Sequence, residues 1–149
     1  MNLKRMLPLF ATAVLLAGCA TMGGEPVQVR MSGAEEVPPV TTGAWGTGTV
    51  TVREDGSVSG SFKVHSGEPI MAAHIHEAPA GKNGPVIIPL QKSGDSDWVV
   101  PADAKLTEAQ MQSFKAGALY VNFHSAKYKG GEIRGQLRHG SSSGRSSGY

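Results

Sequence analysis

Residues 46–65 read Gly-Thr-Gly-Thr-Val-Thr-Val-Arg-Glu-Asp-Gly-Ser-Val-Ser-Gly-Ser-Phe-Lys-Val-His, and they predict two β-strands joined by a tight turn. In each half, residues that favour strands alternate with small or polar residues. Because successive side chains of a strand point to opposite faces, Val58, Phe62 and Val64 share one face of the second strand. Glu54-Asp55-Gly56 between the halves is a hairpin turn signal. This hairpin places the chain among the β proteins.

The rest of the chain repeats this pattern of short strands and turns. Seven or eight strands at regular spacing, with turn residues between them, predict an all-β antiparallel Greek-key sandwich or barrel. Thr107-Glu108-Ala109-Gln110 resembles a capping box and predicts one short helix near residues 107–116. The strands beyond the first hairpin are expected at 27–31, 70–77, 86–90, 95–100, 119–124 and 132–138.

The first nineteen residues have the pattern of an export signal. Lys4 and Arg5 precede an apolar run over residues 7–17, which is too short to span a bilayer permanently. The following Leu16-Ala17-Gly18-Cys19 resembles the lipobox of bacterial lipoproteins, in which the cysteine becomes the lipid-modified first residue. The residue after Cys19 is Ala20 and not aspartate. In a Gram-negative host, the resemblance therefore implies a location on the periplasmic face of the outer membrane.

Four segments follow from these patterns: a signal peptide over 1–18, a lipid-anchored tether over 19–26, one β domain over 27–139 and a disordered Ser/Gly tail over 140–149. Without Lys4 and Arg5, the 14 basic residues of the chain fall to 12, equal to the 12 acidic ones. A neutral chain without a basic, aromatic-rich patch is not expected to bind nucleic acid. The expected partners are the membrane, through Cys19, and another envelope protein.

A candidate metal site begins at Ala73-His74-Ile75-His76. Successive side chains of a strand point to opposite faces, so His74 and His76 project together, away from Ile75. In the strand 119–124, the apolar alternation leaves His124 on the corresponding polar face. Three imidazoles form a ligand set suited to copper or zinc. The alternative is that the histidines only form hydrogen bonds with the loop 78–85.

Polar neighbours are expected beside these histidines on the outside of the barrel. A hairpin between the last two strands, with Glu132 opposite His124, places Arg134 opposite Asn122 and creates a polar ledge. Glu132 is a candidate further ligand or an acceptor that fixes a histidine tautomer. Arg134 is a candidate for attracting an anion to the site. The alternative is that it forms an ion pair with Glu132 and has no further role. His65 and His139 are left out of the site. In a simple hairpin His65 would lie opposite Ile70, which is too far along the strand from His74, and His139 borders the tail.

Four motifs resemble those of the CHRD domain, named from chordin. The resemblance runs from about Val27 to Arg138 and implies a β-rich domain that occurs in many bacterial secreted proteins and lipoproteins. It supplies no established biochemical activity. The motifs, in chain order, are Ser32-Gly-Ala-Glu-Glu-Val-Pro-Pro39, Ala73-His-Ile-His76 with Gly84-Pro-Val86, Tyr120-Val-Asn-Phe-His124, and Gly131-Glu-Ile-Arg-Gly-Gln-Leu137.

The His-Ile-His strand with a third histidine on a later strand is similar to the copper site of copper/zinc superoxide dismutases. That resemblance makes His74, His76 and His124 copper ligands. The chain departs from it in two respects, since residues 77–85 contain no histidine to bridge to zinc and no cysteine pair braces the loop. Copper is therefore expected rather than zinc, and dismutase activity is not the favoured expectation.

Two functions remain open from the sequence. In the first, an envelope-anchored domain binds copper through the three histidines and has a redox or metal-buffering role. In the second, the domain is a metal-free module that binds an envelope protein or a polymer. The sequence assigns no catalytic residue and does not decide whether the protein is an enzyme.

Overall fold

The computed structural model describes residues 23–140, so the predicted signal peptide, Cys19 and most of the predicted tail lie outside the described residues. This part of the chain forms nine strands, one α-helix and a short 3-10 helix. No helix in it is long and apolar enough to cross a membrane. The strands are β1 (Pro26–Ser32), β2 (Trp45–Val52), β3 (Val58–His65), β4 (Ile70–Glu77), β5 (Val86–Pro89), β6 (Gln91–Lys92), β7 (Asp97–Val99), β8 (Leu119–Ser125) and β9 (Ile133–Leu137); the helices are α1 (Glu108–Lys115) and the 3-10 turn Gly33–Glu35.

All nine strands belong to one antiparallel sheet in the order β5-β4-β8-β9-β1-β2-β3-β7-β6. The two outermost strands, β5 and β6, are consecutive in the chain and are separated only by Leu90. The sheet therefore curls into a nearly closed barrel, which confirms the predicted all-β antiparallel class. Nine strands form rather than seven or eight, because the two-residue strand β6 is too short to carry an alternation signal.

The simple hairpin expected between β3 and β4 is wrong. β7 occupies the edge of β3, and β4 instead pairs with β5 and β8. The connection at Ser66 runs toward the start of β9, and the Ser66 hydroxyl donates to the carboxylate of Glu132, just before β9, at 3.3 Å. His65 accordingly lies opposite Trp45 on β2, not opposite Ile70.

The barrel interior is filled by the apolar positions that the alternation predicts. Leu119, Val121 and Phe123 on β8 are fully buried. The ring of Phe123 meets those of Phe62 and Trp98 edge-on, with centroids 5.8 and 5.9 Å apart. Such edge-to-face packing is a favourable arrangement of aromatic rings. Strand β8 therefore has one side in the core, and its other side carries Tyr120, Asn122 and His124.

The helix α1 begins where the capping box predicts. The Thr107 hydroxyl accepts from the Gln110 amide, and the Gln110 side chain accepts from the Thr107 amide, so two N–H groups at the helix start are satisfied. Gly117, with φ of +70°, follows the helix end. Ser113 donates to Glu77 at 2.6 Å and thereby fixes the helix against the end of β4.

Replacing Phe123 with alanine should lower the free energy of unfolding by about 3–5 kcal/mol, because it leaves a cavity beside Phe62 and Trp98. Chemical denaturation measures this change. Met71→Ala is the matched control, since Met71 is 67% exposed and its truncation should cost at most about 0.5 kcal/mol. Equal costs for the two variants would contradict the assignment of Phe123 to the core.

Candidate metal centre

Strands β4 and β8 bring the three predicted histidines together. In the register of this pair, His74 lies opposite Asn122, His76 opposite Tyr120 and His124 opposite Ala72. The rings lie on the side of the sheet away from the buried Ile75 and Phe123. Each histidine offers one nitrogen, and these three nitrogens lie within 4.8 Å of one another. The cluster therefore lies outside the barrel core, as the alternation predicts.

Two backbone carbonyls fix which nitrogens are available to a metal. His76 Nδ1 lies 3.0 Å from the Gly84 carbonyl, and His124 Nδ1 lies 3.0 Å from the Lys129 carbonyl. A carbonyl only accepts, so each Nδ1 carries the hydrogen and each Nε2 keeps its lone pair. Orientation of a ligating histidine through its second nitrogen is a common feature of metal sites.

One pair of the remaining nitrogens already lies at the spacing of two metal ligands. His74 Nδ1 and His124 Nε2 are 3.2 Å apart, close to the roughly 3.3 Å between two ligands of a tetrahedral ion with bonds of about 2.0–2.1 Å. The three converging nitrogens lie within 4.8 Å of one another, whereas such bonds allow at most roughly 4 Å between two ligands, so an inward shift of less than about 1 Å would bring all three to one ion. His76 Nε2 is buried and has no hydrogen-bond partner among the described residues, which leaves an acceptor that a cation would satisfy.

The environment keeps the three imidazoles in the neutral form that binds metals. Burial is the largest influence and lowers the pKa of each. For His74, the neighbouring His124 and His76 lower the pKa further. The Gly84 and Lys129 carbonyls partly oppose burial by raising the pKa values of His76 and His124. At neutral pH protons therefore compete weakly with a metal for these nitrogens.

The expected polar ledge exists, but it is not exposed to solvent. Asn122 does lie opposite Arg134, and both are buried, with 3% and 1% of their surface exposed. Glu132 is also 1% exposed. The segment 33–42 and the loop 78–85 lie over these side chains. We call the buried set Asn122, Glu132 and Arg134 the covered polar layer. Sequence alternation assigns a face to a side chain, and it does not reveal a loop folded over that face.

Arg134 is a structural cation in the covered polar layer. Its guanidinium group donates to Asn83 Oδ1 at 3.3 Å, to the Pro79 carbonyl at 3.4 Å and to Gln136 Oε1 at 3.1 Å. It also lies 3.5 Å from the centre of the Tyr120 ring. With these contacts the guanidinium is not placed to steer an anion from solvent, which corrects that expectation.

Glu132 has neither of the roles expected for it. Its carboxylate accepts from the Thr42 hydroxyl at 2.7 Å and from Ser66, and it forms no ion pair with Arg134 among the described residues. The tautomer-fixing acceptors are the two carbonyls instead. A carbonyl belongs to every residue, so sequence carries no signal for this role.

Tyr120 and Gly84 are functional neighbours that the sequence analysis missed. Tyr120 stacks on His76, with ring centroids 4.8 Å apart and planes inclined by 12°. Its hydroxyl accepts from the Gly84 N–H at 3.1 Å, while the Gly84 carbonyl accepts from His76. One glycine thus connects the stacked pair. Two features of the sequence could have indicated these residues. Tyr120 shares the face of β8 that carries Asn122, and Gly84 belongs to the Gly84-Pro85-Val86 motif.

The two excluded histidines lie elsewhere. His65 stacks on Trp45 with ring centroids 4.1 Å apart, at the β2–β3 pair. His139 contacts the ring of Phe114 on α1. Neither belongs to the group of converging nitrogens among the described residues. His65 is placed by its pairing with β2 and not by the hairpin we expected.

The strands β4, β8 and β9 lie within a segment that matches a protein-family model. Residues 27–137 match the CHRD domain. The chain belongs to the CHRD domain family. The match includes every strand from β2 to β9 and all three clustered histidines of this CHRD domain. The chain matches no curated protein and no solved structure.

Gly84→Ala should destabilise the domain and displace the loop 78–85, because an added Cβ would collide with the Glu77 carbonyl. We expect a cost of about 1–3 kcal/mol or more in the free energy of unfolding, measured by denaturation. Gly67→Ala is the control, since a Cβ there meets nothing within 4 Å. If the two alanine variants were equally stable, the close approach of Gly84 to β4 would be incorrect.

Proposed function

We propose that this CHRD-domain protein is an envelope-anchored lipoprotein that binds copper through His74, His76 and His124. The observation that supports the metal assignment is the convergence of three neutral imidazole nitrogens, two of them with the tautomer fixed by carbonyls. The unpartnered Nε2 of buried His76 adds to it, because an unsatisfied buried acceptor costs about 1–3 kcal/mol. A bound cation removes that cost.

The donor set favours copper over zinc in this proposal. The cluster consists of imidazoles without a thiolate or carboxylate among the converging atoms. Divalent copper binds a given nitrogen site more tightly than zinc does. Three protein ligands leave a coordination position free, and a copper ion held there would supply one-electron redox chemistry or simple metal buffering.

The proposed location rests on the first residues of the chain. Leu16-Ala17-Gly18-Cys19 after a basic and apolar leader supports lipid attachment at Cys19, and Ala20 supports the periplasmic face of the outer membrane. Seven residues then separate Cys19 from Val27, where the family match begins. The domain would thus be held close to the membrane by a short tether.

A second function is favoured by one contact in the cluster. His74 and His124 are 3.2 Å apart and form a hydrogen bond with each other without a metal. A metal-free module that binds an envelope protein or a polymer is consistent with this contact. In that case chelators and added copper change neither the stability of the domain nor its binding.

The chain should take up close to one copper per molecule, and its melting temperature should rise with copper because the ion binds only the folded state. The double variant His74→Ala, His76→Ala should lose both effects. Metal analysis after gel filtration and thermal melts measure them. The double variant His65→Ala, His139→Ala is the matched control and should bind as the natural chain does. Undiminished uptake by the first variant, or no uptake by the natural chain, would reject the copper site.

Cys19→Ser should abolish lipid attachment, because serine cannot form the thioether to the lipid. Labelled fatty acid incorporated during growth, followed by separation of the membranes, measures attachment and location together. The natural chain should carry label in the outer membrane, and the variant should carry none. Label in the variant, or an unlabelled natural chain, would reject the anchor while leaving the metal assignment intact.

A further inference from the structure

A buried carboxyl group lies against the covered polar layer and is not a member of the histidine group. Glu36 follows the 3-10 helix and has 5% of its surface exposed. Asn122 on β8 donates from Nδ2 to Glu36 Oε2 at 3.1 Å. A carboxyl and a carboxamide group therefore meet side by side with almost no access to water.

Their two other oxygens have no partner. Glu36 Oε1 and Asn122 Oδ1 are both buried and form no hydrogen bond among the described residues. Both point toward Gly131, where an added Cβ would lie 2.7 Å from Oε1 and 2.5 Å from Oδ1. If Glu36 were ionised, two acceptors would face the same small space with no hydrogen between them. Each buried acceptor without a donor is costly.

One proton satisfies both atoms. We propose that Glu36 and Asn122 form a proton-binding site, in which Glu36 Oε1–H donates to Asn122 Oδ1 and the resulting double hydrogen bond holds the segment 36–42 closed over the covered polar layer. Asn122 Nδ2 supplies the first bond and the Glu36 proton supplies the second. Interchanging the oxygen and nitrogen of Asn122 would place its oxygen 3.1 Å from Glu36 Oε2, and that contact would also need a proton on Glu36.

The electrostatic environment agrees with a neutral Glu36. Burial raises the pKa of Glu36 to about 7, although the Asn122 hydrogen bond and the charge of Arg134 on β9 act to lower it. The other two groups placed against the carboxyl, Asn122 on β8 and Gly131 before β9, are uncharged. Because the pKa is raised on folding, the stabilisation is complete at pH values below about 4.5 and is lost as pH rises through about 7.

This proton would control the cover of the polar layer. Val37, next to Glu36, accepts at its carbonyl from Asn83 Nδ2 at 2.7 Å, so the segment 36–42 is tied to the loop 78–85. That loop contains Gly84, the partner of both His76 and Tyr120. Loss of the proton therefore loosens a cover that reaches the histidine cluster. The inference needs no bound metal and stands independently of the copper assignment.

Glu36→Gln tests the proposal, because glutamine reproduces the protonated acid: its N–H donates to Asn122 Oδ1 and its oxygen accepts from Nδ2. Glu35→Gln, at the exposed neighbouring position, is the matched control. Hydrogen exchange on the metal-free whole chain reports closure at the Val40 amide, which donates to the Gly33 carbonyl at 2.9 Å. Carbon NMR on chain labelled at the glutamate carboxyl reports the ionisation of Glu36 directly.

In the natural chain and in Glu35→Gln, the protection factor of Val40 should fall by up to about tenfold for each pH unit between about 4.5 and 7 and should level off above 7, whereas in Glu36→Gln it should stay constant across this range. The NMR signal of Glu36 should be that of a neutral carboxyl at pH 6. An ionised Glu36 at pH 6, or the same pH profile in the natural chain and Glu36→Gln, would overturn the proposal. The carboxyl signal of the natural chain decides the matter even if Glu36→Gln does not fold.

Discussion

The buried guanidinium group of Arg134 constrains how the outer loops of this domain are placed. A charge that is removed from water must be surrounded by acceptors, and β9 alone offers only Gln136. The other acceptors, Asn83 and the Pro79 carbonyl, come from the loop 78–85. The loop must therefore lie across β8 and β9, and its position in turn places the Gly84 carbonyl against His76. The orientation of a candidate metal ligand thus depends on a cation that does not touch it.

Most strands of the barrel were predictable because apolar residues alternate along them with polar or small ones. Leu119, Val121 and Phe123 identify the core side of β8, and the same parity places Asn122 opposite Arg134. The capping box at Thr107 identified the helix for an equally local reason. The sheet order was not predictable in full, since β4 pairs with β8, which lies more than forty residues further along the chain. Alternation contains no information about which strand is the neighbour.

The candidate site was predictable only as a set of side chains. The shared parity of His74, His76 and His124 brought them to one face, and the structure brings their nitrogens within 4.8 Å. Their surroundings were not accessible to the same reasoning. Glu36 and Arg134 are charged residues for which exposure is the usual outcome, yet loops cover both. A loop that folds over a polar face depends on contacts between distant segments, such as Asn83 with Val37.

The covalent closure of the sheet at Leu90 has a consequence for the behaviour of the folded protein in concentrated solution. An open sheet exposes unpaired N–H and C=O groups along its edge strands, and another molecule can add a strand there. Here the edge strands have four and two residues and are consecutive in the chain. In addition, the Leu90 amide between them donates to the Ala73 carbonyl. Neither edge offers a long template, so the native barrel is protected against edge-to-edge aggregation by its connectivity.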